Sequence, residues 1–139
     1  MGSFGRIFFI REDFFVRPDS EDKAEQDNIS ISVGKNDYST EEHPAFREAI
    51  VEQLLLKLKN IPADLKGDGT YTKQKYPLYI FHIREHENGL VTELYYIVDD
   101  FRYCLVQLTN HTGRQENYEA ARALADSFIW DDKPSSFDN

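Results

Sequence analysis

The hydrophobic positions of this chain change period along its length, and the changes divide it into elements. Residues 6 to 16 set Ile7, Phe8, Phe9, Ile10, Phe14, Phe15 and Val16 around the charged triplet Arg11-Glu12-Asp13, a pattern that predicts two short strands or one strand with a turn. Pro18 to Asn28 is almost wholly polar and predicts an exposed loop that adds little to a core. Ile29, Ile31 and Val33 then alternate with Ser30 and Ser32. Period two with one wet face predicts an edge or half-solvated strand.

The period next lengthens to that of a helix. Ser39 stands three residues ahead of Glu42, the spacing of a capping box, and Pro44 suits a first helical turn. Phe46, Ile50, Leu54, Leu58 and Ile61 recur at helical spacing, and Ala49, Val51 and Leu55 widen the stripe. A helix packed on a sheet and stopped by Pro62 follows. Gly67-Asp68-Gly69 predicts a loop.

Three runs rich in aromatic and β-branched residues come after it: Leu78 to Arg84, Val91 to Val98 and Phe101 to Thr109, joined through Asn88-Gly89 and Asp99-Asp100. Asn-Gly favours the positive φ angles of a hairpin, so these runs predict an antiparallel meander. In each strand both alternating sets are apolar, which predicts a sheet covered on both faces. Residues from about Gln115 to Phe128 set Tyr118, Ala121, Leu124, Ala125 and Phe128 on one helical face. The expected class is α+β: a single domain over residues 1–131 with a central antiparallel β-sheet, a C-terminal three-strand meander and helices packed on its faces. A polar C-terminal tail, 132–139, completes it.

Composition narrows the possible partners. A length of 139 residues suits one core, and with 40% hydrophobic residues the chain can fold. The 25 acidic residues against 16 basic ones leave a formal charge of -9, which opposes binding to nucleic acid or an anionic membrane and permits a basic protein partner. No apolar run approaches the ~20 residues of a membrane span, and Ile7 to Ile10 is too short for a signal segment; a cytoplasmic location is expected. The lone Cys104 excludes an internal disulfide and reads as a buried thiol.

Candidate chemistry is sparse. His82-Ile83-Arg84-Glu85-His86 has the H-x-x-E-H order of inverted zinc peptidases. That chemistry needs both imidazoles on one helical turn, whereas a strand would hold them about 13 Å apart, too far to share one zinc. Asp19, Glu21, Asp22, Glu25 and Asp27 lack the glycine and glutamate spacing of an EF-hand, and Asp99 and Asp100 are explained by turn chemistry. Ser127 lies in no nucleophile elbow, and Gly67 to Thr70 lacks the lysine of a phosphate-binding loop. No catalytic residue, metal or other cofactor is expected. Asn28 and Asn110 match the glycosylation sequon.

The Tyr95 to Val98 and Phe101 to Thr109 runs, with the final helix ending in Asp126-Ser127-Phe128-Ile129-Trp130, resemble the C-terminal half of PsbP-like and DcrB-like domains. The resemblance covers roughly residues 77 to 130 and implies an α/β sandwich serving as an accessory protein that binds other proteins, including chaperone-like adaptors. The expected function is therefore a non-catalytic, protein-binding adaptor or chaperone-like domain; an immunity protein masking a basic toxin such as a nuclease is the alternative, and a metal-dependent hydrolase a third reading. The residues expected to meet a partner are Asp19, Glu21, Asp22, Glu25, Asp27, Asp99, Asp100 and Trp130.

Overall fold

The computed structural model describes residues 27–130. The readings over residues 6–16, the acidic residues Asp19, Glu21, Asp22 and Glu25, and the tail 132–139 lie outside the described residues. Five strands form one antiparallel sheet: β1 (Asn28–Lys35), β2 (Ala63–Tyr71), β3 (Pro77–Glu85), β4 (Val91–Asp99) and β5 (Arg102–Asn110), in the spatial order β1-β5-β4-β3-β2. Helix α1 (His43–Lys57) lies between β1 and β2 in the chain, and α2 (Gln115–Ser127) follows β5.

The meander has four strands rather than three, because the expected loop at Gly67-Asp68-Gly69 is the middle of β2. The glycines there are a packing requirement. A Cβ on Gly67 would come within 2.9 Å of the Phe81 ring, and one on Gly69 within 3.2 Å of the Tyr79 ring, so the aromatic rings of β3 occupy the space that side chains on the edge strand would need.

Strand parity sorts the apolar residues into two clusters. Phe81, Ile83, Leu94, Tyr96, Val98, Tyr103 and Leu105 bury with Phe46, Ala49, Ile50 and Leu54 of α1. The alternate positions, Leu78, Tyr95, Ile97, Cys104, Val106 and Leu108, bury with Ala121 and Ala125 of α2. Successive side chains point to opposite faces of a sheet, so each helix serves a different face.

The start of α1 differs from a simple capping box. Thr40–Glu42 forms a short 3-10 turn. The Glu42 carboxylate accepts from the Ser39 N–H at 2.9 Å, which is half of the reciprocal pair, and Pro44 sits in the first helical turn. The helix ends at Lys57, and Leu58 to Ile61 continues as turns. Leu55, expected to widen the buried stripe, is exposed, as is Leu56.

Phe46 is the centre of an aromatic cluster. Its ring lies 5.7 to 6.3 Å from those of Tyr38, Tyr79, Tyr96 and Tyr103. Within it the Tyr96 hydroxyl is fully buried, with no group among the described residues in hydrogen-bond reach, and burial pushes its ionisation far above the ordinary tyrosine value. An unpaired buried hydroxyl costs about 1–3 kcal/mol of desolvation. Tyr96→Phe is therefore expected to leave the unfolding free energy measured in urea unchanged or raise it by up to about 1 kcal/mol. A loss of stability would mean that water pairs with the hydroxyl.

Candidate functional site

Asp99 pairs with Arg102 across the end of the β4–β5 hairpin, so the turn residues are Asp100 and Phe101. The sequence reading puts Phe101 in the strand; the structure moves it to the tip, where its φ is +58° and its side chain is 53% exposed. A bulky residue in the left-handed region costs roughly 1–2 kcal/mol. Neighbouring backbone holds it there. The Phe101 N–H donates to the Tyr38 carbonyl at 2.8 Å and its carbonyl accepts from the Asn36 N–H at 3.0 Å. Asn36 is itself buried, and its side-chain oxygen accepts from the Tyr38 N–H at 2.6 Å.

Three of the expected partner-binding residues surround this tip. The Asp99 carboxylate accepts from the Asp100 N–H at 2.8 Å and pairs with the Arg102 guanidinium at 2.5 Å. Arg102 also lies 4.1 Å from the centre of the Trp130 ring, a cation–π geometry, and thereby links Trp130 to Asp99. The Trp130 ring meets Phe128 edge to face at 4.8 Å, and the Trp130 backbone N–H donates to the Tyr76 hydroxyl at 3.1 Å. His43 opens α1 near the same tip: burial holds its imidazole below the ordinary value against the opposing pull of Asp100 and Asp99. The tip thus combines an exposed aromatic side chain with two carboxylates on a turn tied by backbone hydrogen bonds to Asn36 and Tyr38.

Asp27 has a different environment. Its carboxylate accepts from the His111 and Thr112 N–H groups, from the Thr112 hydroxyl at 2.6 Å and from the Asn117 side-chain amide at 2.8 Å. It clamps the start of β1 to the turn between β5 and α2. Burial alone would raise its carboxyl, but the bonds from Thr112, His111 and Asn117 outweigh this and hold it below the ordinary carboxylate value. Asn110, buried beneath the same turn, donates to the Arg114 carbonyl at 3.3 Å, so its sequon is closed in the folded chain.

The H-x-x-E-H segment forms β3 and its end, not a helix. His82 pairs with Glu93 of β4 at 2.6 Å and His86 with Asp64 of β2 at 3.0 Å. Among the described residues no three His, Cys, Asp or Glu side chains group as a metal site. Glu93 also accepts from the Tyr95 hydroxyl; burial first, then this bond, pushes the Tyr95 phenol far up. Glu93 and Tyr95 of this His82–Glu93–Tyr95 chain line a shallow cleft with Tyr118 and Arg122 of α2. Sequence spacing did not reveal it, since it depends on cross-strand register. Burial pushes the Cys104 thiol up to about 12, leaving it protonated and unreactive.

Among the described residues no helix is long and apolar enough to cross a membrane. No family model, curated protein or solved structure matches this chain. The likeness to PsbP-like and DcrB-like domains therefore rests on the pattern of residues 77 to 130 alone.

Proposed function

We propose that this chain is a non-catalytic accessory domain that binds a protein partner through the β4–β5 tip, with Phe101 as the anchor and Asp99 and Asp100 as an acidic rim. The observation that carries the reading is Phe101 itself: a large apolar side chain held outward in a costly backbone conformation by bonds to Asn36 and Tyr38. Strain of this kind persists where surrounding structure enforces it, and it concentrates at functional positions. Aromatic anchors carry much of the energy of protein interfaces. The adjacent carboxylates and the formal charge of -9 favour a basic partner and speed its approach. An inhibitor of a basic toxin is the narrower form of this reading, supported by the same pair of carboxylates beside the anchor.

Phe101→Gly separates binding from folding. Glycine accepts a positive φ without penalty, so the variant should melt at the same temperature as the parent or above it. Its affinity for the partner, isolated by pull-down with mass spectrometry and then titrated, should fall about tenfold or more. Asp100→Lys should slow association and weaken its salt dependence. An unchanged affinity in Phe101→Gly would overturn the reading.

A further inference from the structure

At the opposite end of the sheet from this tip, an apolar cleft of about 230 Å³ opens between the C-terminal end of α1 and the sheet. Leu54, Leu58 and Ile61 line one side and Ile83 and Leu94 the other, with Lys57 and Glu85 among its polar residues. The neighbouring Leu55 and Leu56 are 57% and 67% exposed, and Ile61 is 42% exposed. Exposed apolar side chains beside an apolar cleft mark an interaction surface.

The chain enters the sheet at this end. Asp27 precedes Asn28, which pairs with Thr109, and two residues further on Ser30 pairs with Gln107, a residue of the cleft. One strand spacing across and three residues along place Asp27 about 11 Å from Gln107. The preceding 26 residues carry most of their apolar side chains between Ile7 and Val16, including four phenylalanines, Phe8, Phe9, Phe14 and Phe15. Ten residues, 17–26, separate that stretch from Asp27. A linker of this length has an average span of roughly 17 Å, close to the distance required, so the local concentration of the stretch at the cleft is on the order of millimolar.

We propose that residues 7–16 of the same chain dock in this cleft and cover the apolar surface left open at Leu58 and Ile61, above the buried Leu54, Ile83 and Leu94. The docking buries phenylalanine side chains against leucine and isoleucine.

A nitroxide attached to Arg11→Cys in the full chain tests this, since Cys104 is buried and does not compete for the label. The expected result is strong paramagnetic broadening of the Leu54, Leu58, Ile61 and Ile83 methyl signals. The broadening should not depend on protein concentration, and it should disappear when Phe8→Asp and Phe9→Asp are added. Broadening confined to the β1 amides would mean that the stretch extends the sheet as a sixth strand and would overturn the proposal. So would broadening seen when spin-labelled chains are mixed with isotope-labelled ones, which would assign the cleft to a second copy. Absence of broadening at the cleft overturns it equally.

Discussion

Replacing Phe46 by alanine is expected to lower the stability of the domain by about 3–5 kcal/mol, the range for truncating a fully buried aromatic residue. Phe46 has no exposed surface, and four aromatic rings from the chain before α1 and from β3, β4 and β5 converge on it. Those rings are anchored on separate backbone elements, so they cannot close the void by moving together. A loss of this size is a large part of the 5–15 kcal/mol that holds a typical domain together. The melting temperature should fall on the order of 10–20 °C. Leu56→Ala, on the exposed side of the same helix, should change stability by less than about 0.5 kcal/mol. If urea melts gave a loss below about 1.5 kcal/mol for Phe46→Ala, the aromatic cluster would be more compliant than its geometry indicates.

The second large effect is expected at Asp27, and it should depend on pH. Asp27→Ala leaves the His111 and Thr112 N–H groups, the Thr112 hydroxyl and one Asn117 bond without their acceptor. Bonds to a charged acceptor are each worth more than neutral ones, and a net loss of about 2–3 kcal/mol at neutral pH follows. Because the folded-state pKa of Asp27 lies below its unfolded value, the stabilisation is fully present above the unfolded value, near about 4. It is lost as pH falls from there through the folded value. Parent and Ala variant should therefore converge in stability below pH of about 4, and Asp27→Asn should lose stability with little dependence on pH. Chemical denaturation at a series of pH values measures the difference directly. A gap that persisted undiminished at pH 2 would show that the carboxylate charge is not what the clamp uses.

Much of the architecture can be read from the chain because face assignment depends only on parity. The sequence reading centred the last two hairpins on Asn88-Gly89 and Asp99-Asp100. The structure pairs Glu85 with Leu90 through one backbone bond and Asp99 with Arg102, so each register differs from the expected one by two residues. A shift of two keeps every side chain on its face. That is why the two apolar sets separated correctly even though the turns did not fall where expected.

The same shift changes cross-strand partners completely. A two-residue Asn-Gly turn would set His82 opposite Tyr95, whereas the longer connection sets it opposite Glu93 and creates the His82–Glu93–Tyr95 chain. It also moves Phe101 from the strand to the tip, where the proposed anchor stands. Asp27 was legible only as one member of an acidic run. Its partners Thr112 and Asn117 lie far away in sequence, and nothing local to Asp27 indicates them. The β2 glycines were misleading for a related reason: their cause is the ring of Phe81 on a neighbouring strand, and isolated from it Gly67-Asp68-Gly69 has the composition of a turn.

Strand order carries a consequence for how the chain reaches this structure. The β2 to β5 meander is built from neighbouring hairpins, whereas β1 must pair with β5 across the whole intervening chain. Local pairings form quickly and distant ones slowly, so β1 is the strand expected to dock last. Asp27 then acts as the latch on that final step: its removal should accelerate unfolding far more than it slows folding.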